Sequence, residues 1–229
     1  MADFSPASRP GMTRLIFGPA VITLAVTLLR LLGELQQWPS LFFSRSAGGG
    51  AAIVGISWLP IIFGPYFAVK LARESREPVR PGKAFAFAGL GVIIFLGGGF
   101  LMLGSGGSTG RALGGLVVMV VGAALQFVPW KALAKTLTAY AYAARIPVLI
   151  VMFFAIRGQW GTHYDAPPPE AVPSGFWPKF LYIAVIPQLV MWIAYTIVLG
   201  ALVGTAYVAI ARRKKPAPAS PSNQQAAGA

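Results

Sequence analysis

The chain has 229 residues, 56% hydrophobic and only 11% charged, with 19 Lys/Arg against 6 Asp/Glu and a net charge of +13. A soluble domain carries about 25% charged residues, so the deficit points to a chain solvated largely by lipid. It has no cysteine and one histidine, His163, which excludes disulfides, thiol catalysis, thiolate metal sites and any multi-histidine metal or haem site built from this chain alone.

The basic excess lacks the signature of nucleic-acid binding. Its charges flank apolar runs and are not interleaved with aromatics on one face. They read as a topology signal with contacts to anionic lipid headgroups. The expected fold class is all-α: a polytopic membrane protein with a bundle of about six transmembrane helices, several bent by proline.

Residues 1–13 contain Pro6, Pro10 and Gly11 and read as a disordered cytoplasmic tail. Arg9 and Arg14 before an apolar stretch from Leu15 imitate a signal peptide. No A-x-A cleavage pattern follows, so the expectation is a retained first span over 14–34. Arg30 and Glu34 stand at i, i+4 near its far end, where they can neutralise each other.

The next spans are expected at 52–70, 84–104, 112–130 and 137–157. Last comes an uncharged run of 32 residues, 180–211. At 1.5 Å per residue that run is about 48 Å long, more than a ~30 Å hydrocarbon core requires. Either 176–186 lies partly in the interface and the crossing helix continues from Pro187, or the helix is tilted and kinked. Residues 212–229 read as a basic stop and then a disordered tail.

Six spans put both termini on one side. That side carries 14 of the 19 Lys/Arg, including Lys70, Arg73, Lys83, Lys131 and Lys135; the other carries five, Arg30, Arg45, Arg111, Arg157 and Lys179. The positive-inside rule then places both termini in the cytoplasm of a plasma (inner) membrane protein. Trp38, Trp130, Trp160 and Trp177 fall near span ends, where indole rings prefer to sit. Trp58 and Trp192 fall inside spans.

Small residues mark close helix approach. Gly200 and Gly204 form a G-x-x-x-G on the last span, and Gly115 and Gly122 share a face of the fourth. Either packing within the chain or a homodimer satisfies this pattern. Pro19, Pro60, Pro65, Pro129, Pro147 and Pro187 lie in or at the ends of five spans. Transporters use such broken helices to expose backbone groups to solutes, and ordinary membrane helices also contain them.

Arg145 is the principal candidate for substrate binding, because an intramembrane arginine is costly. No Asp or Glu stands at similar depth in any expected span. Its candidate partners are Gln126, Tyr140, Tyr142 and carbonyls freed near Pro147 and Pro129; a lipid phosphate or anionic ligand would also suit it. The competing reading has a shorter fifth span, with Arg145 at the headgroups. Gln188 and Gln126 are the other polar side chains at depth.

The loop 158–179 is the longest segment on the less basic side. Trp160, His163, Tyr164, Asp165 and Trp177 make it a candidate docking surface, laid on the membrane by its aromatics and stiffened by Pro167, Pro168 and Pro169. His163 and Asp165 are the sparse basis for an acid/base pair or a metal site, although one histidine and one carboxylate are too few ligands for zinc. No catalytic residue, metal or cofactor is assigned. No phosphate-binding Gly-Lys-Ser/Thr pattern is present. The leading expectation is a non-enzymatic accessory or scaffolding subunit with a possible protein partner or homodimer. The alternatives are a small transporter or channel for an anionic or lipid-like solute, and a lipid-modifying enzyme.

Overall fold

The structure is a computed structural model that describes residues 11–213 except 50, 51, 75, 77, 79, 107 and 168–173; for 212 and 213 only the backbone is described. Both expected tails therefore lie largely outside the described residues, as do Pro168 and Pro169. Among the described residues the chain is helical and contains no strand.

Five helices are long and apolar enough to cross a membrane: α1 (Met12–Leu35), α3 (Pro81–Leu103), α4 (Thr109–Phe127, ending in a 3₁₀ turn), α5 (Lys131–Gly158) and α6 (Phe176–Ala211). The expected second span, 52–70, differs. It forms α2 (Leu59–Arg73), a helix of 15 residues, about 22 Å long and shorter than a ~30 Å core. Pro60 is the reason. Proline lacks the N–H that a helix needs beyond its first turn, so it starts the helix here, and residues 52–58 remain irregular.

α1 is built inside out relative to a soluble helix. Its buried face is Leu15, Pro19, Thr23, Thr27, Arg30, Gly33 and Glu34, while Val21, Ile22, Leu24, Leu28, Leu29 and Leu32 are exposed. The apolar residues face where lipid would be. The polar ones pack inward, where hydrogen bonds can satisfy them.

The interior is aromatic and aliphatic. Phe63 and Phe67 of α2 pack on Tyr140 of α5 at ring separations of 5.3 and 5.4 Å. The Tyr140 hydroxyl hydrogen-bonds Thr23 Oγ1 of α1 at 2.8 Å, joining α1 to α5. α6 lies against α2, α3 and α5.

Backbones meet where glycine allows it. A side chain at Gly204 would stand 2.8 Å from the Gly64 carbonyl oxygen of α2, and one at Gly122 would stand 2.7 Å from that of Gly91 in α3. Gly115 faces Gly98 and Met102 in the same α3–α4 contact, and Gly200 faces Leu137 of α5. All four marked glycines are thus engaged within the chain.

α6 stays helical through Pro187 by widening. Leu181–Val185 and Pro187–Met191 are π-helical, and α-helix resumes at Trp192. Proline cannot donate to the helical ladder, and wider turns accommodate the missing bond.

Candidate functional site

Two buried polar centres stand out. The first lies at the end of the bundle where α1 finishes and the 159–175 connection begins. Arg30 Nε donates to Glu34 Oε1 at 2.7 Å, the i, i+4 pair expected from the sequence. The Glu34 side chain is fully buried and takes two more donors from a segment 129 positions away. The His163 backbone N–H reaches Oε2 at 2.8 Å, and the imidazole Nδ1 meets Oε1 at 2.5 Å.

The remaining Arg30 nitrogens turn outward. Nη2 donates to the carbonyls of Gly49 at 2.7 Å and Ser44 at 3.1 Å. Gly49 has φ +83°, and a β-carbon there would stand 2.9 Å from Arg30 Nη2. Only glycine both adopts that backbone and leaves room for the guanidinium. One carboxylate therefore ties together α1, the 44–49 loop and the 159–175 connection.

Burial pushes the His163 imidazole below its ordinary range, and the Arg30 charge pushes it the same way; the hydrogen bond to Glu34 opposes them without prevailing. His163 is thus neutral, with Nδ1–H donating to Glu34, while Arg30 balances the carboxylate charge. Tyr164 follows it inward. Its hydroxyl donates to the Thr27 carbonyl at 3.2 Å, and burial raises its phenol above the ordinary tyrosine range.

Asp165 does separate work. Its carboxylate accepts from the backbone N–H groups of Gly161 at 3.0 Å and Thr162 at 2.8 Å, and from Thr162 Oγ1 at 2.7 Å. This closes a turn in which Gly161 has φ +68°. The His163 and Asp165 side chains engage different partners and do not form a pair with each other. Among the described residues no group of three metal-ligating side chains occurs.

Of the other loop residues, Tyr164 is buried, whereas Trp160 and Trp177 are exposed. Trp177 packs with Phe153, Phe176 and Phe180 in an aromatic cluster.

The second centre is Arg145, near the middle of α5. Nη1 donates to Gln188 Oε1 of α6 at 3.2 Å, and the guanidinium lies over the Trp192 ring, 4.6 Å from its centroid. Nε is buried and has no hydrogen-bond partner. Gln126 is elsewhere. Its amide nitrogen donates to the carbonyls of Gly122 at 3.1 Å and Phe87 at 3.2 Å, tying α4 to α3. The structure brings Arg145 and Gln188 together and keeps Gln126 apart.

Sequence reading did not connect Arg30 and Glu34 to His163. A signal was present: Pro19, Thr23, Thr27, Arg30 and Glu34 recur at spacings of three and four, which marks one helix face. A polar stripe on an otherwise apolar span has to face protein.

Compared with protein-family models, curated proteins and solved structures, the chain shows no significant match.

Proposed function

We propose that this chain is a non-enzymatic, multi-pass membrane protein that holds a preorganised surface for a partner on one side of the membrane. The carrying observation is the Arg30–Glu34–His163 cluster. It spends a buried carboxylate and a buried guanidinium on fixing two loops, at an energetic cost that ordinary connections do not require. A surface held in one geometry loses less entropy when a partner docks. Exposed Trp160 and Trp177 beside Arg157 and Lys179 supply aromatic and cationic contact groups.

The charge asymmetry supports a plasma (inner) membrane location with this surface outside and both termini cytoplasmic. On that reading α2, extended by residues 52–58, is the sixth crossing. The basic segments around 70–83 and 131–135 then contact anionic headgroups. Because the chain has no cysteine, the topology is directly testable. Ser46→Cys and Ser108→Cys are expected to react with an impermeant maleimide in intact cells, and Gly82→Cys only after permeabilisation. The reverse pattern would invert the topology.

The partner is tested by extraction in native lipid discs and quantitative mass spectrometry. A stoichiometric protein lost on Trp160→Ala/Trp177→Ala supports the accessory reading. A solitary chain removes its main support. Arg145 favours a second reading, the handling of an anionic or lipid-like solute.

A further inference from the structure

We propose that Arg145, Gln188 and Trp192 form an intramembrane receptor for a phosphate-class oxyanion, carried on a lipid or free. This goes beyond the accessory reading and does not depend on it.

Arg145 lies about 20 Å along the helix from either end of α5. It is 4% exposed. Its immediate partners are neutral, an amide and an indole face. The described carboxylates act elsewhere: Glu34 on Arg30 and His163, Asp165 in its own turn, and Glu74 beside Arg76 at 3.9 Å. A guanidinium stays charged at any accessible pH, so an arginine buried among neutral groups calls for an anion.

The geometry says which edge receives it. Trp192 covers one face of the guanidinium, and Gln188 occupies Nη1. On the Nε side, Nε itself is buried and unpartnered. That side is one of the forks by which arginine grips two oxygens of a carboxylate or phosphate at once.

Gln188 also sits on the least regular part of its helix, the π-helical stretch around Pro187. Wide turns of this kind concentrate at functional sites. Arg145 is 4% exposed, and the broken ladder of the 181–191 segment makes it the element suited to move as an anion enters.

The test uses the full-length protein in phosphatidylcholine discs. Tryptophan fluorescence is followed as the discs are enriched in phosphatidic acid and, separately, as inorganic phosphate is added. Trp192 beneath the guanidinium is the reporter, and its contribution is identified with Trp192→Phe. A saturable response to phosphatidic acid alone assigns a lipid phosphate, and a response to inorganic phosphate assigns a free anion. No response to either in folded wild-type protein overturns the proposal.

Arg145→Gln should weaken the response at least tenfold, and an unchanged midpoint overturns the proposal. Should that variant fail to fold, Gln188→Glu decides. It keeps the shape and supplies an internal carboxylate, so it should abolish the anion response and raise the thermal midpoint. Retention of wild-type anion affinity in Gln188→Glu overturns the receptor.

Discussion

Glu34 accepts both the backbone N–H and the imidazole of His163, at 2.8 and 2.5 Å, across 129 positions of sequence. Arg30 completes the charge balance on the same carboxylate. This relationship joins the end of α1 to the 159–175 connection, in which only Thr162 and Tyr164 are buried among residues 159–167.

Removing the carboxylate leaves Arg30 buried without its counter-charge. Glu34→Ala is expected to destabilise the protein by about 3–5 kcal/mol, the usual cost of breaking a buried pair. Glu34→Gln keeps the shape and some hydrogen bonding, so its loss should be smaller. Denaturation in lipid discs measures both. Equal stability of Glu34→Ala and wild type would mean that the cluster holds nothing.

The cluster also predicts a pH response. His163 is lowered in the folded state by burial, so the unfolded chain binds the proton more readily. Stability from this group is complete above the unfolded value of about 6.5. It falls as pH drops below that value toward the lower folded value, by at most about 1.4 kcal/mol per pH unit. Arg30, Glu34 and Asp165 are the charged groups acting on the ring. Denaturation midpoints at stepped pH should slope for wild type and flatten over this window for His163→Gln.

The glycine run at 97–99 offers an internal control. A β-carbon at Gly98 would strike the Gly115 carbonyl and Met119 of α4, whereas at Gly97 and Gly99 it meets nothing within 4 Å. Gly98→Ala should cost about 1–3 kcal/mol through overpacking. Gly97→Ala and Gly99→Ala should be neutral or stabilising by up to about 1 kcal/mol, from helix propensity. Thermal midpoints of the three variants suffice to check this.

Asp165→Ala removes all three side-chain bonds across the 161–165 turn and leaves the backbone bonds to the Thr162 carbonyl. Amide exchange at Gly161 and Thr162 should speed up markedly, while the α5 interior keeps its protection. Unchanged exchange at both amides would show that the turn closes without the carboxylate.

Much of the fold was legible in the sequence for a simple reason. Lipid cannot hydrogen-bond a backbone, so long uncharged runs have to be helices. That logic identified α1, α3, α4, α5 and α6. It marked 52–70 as well, where the helix begins only at Leu59, because a hydropathy window counts Ile53, Val54 and Ile56 but is blind to Pro60 as a helix start. It also marked Gly115, Gly122, Gly200 and Gly204 as contact positions without naming their partners.

The candidate sites divide along the same line. The chain by itself determined that Arg30 and Glu34 would pair, because helical spacing of four is a local property. It determined too that Arg145 would lack a carboxylate on its own helix. Only the tertiary structure decided that His163 closes on Glu34 and not on Asp165, and that Gln188, not Gln126, meets Arg145. Such contacts depend on which helix faces come together. Helix packing fixes that through many small steric fits between distant segments, and no local pattern encodes them.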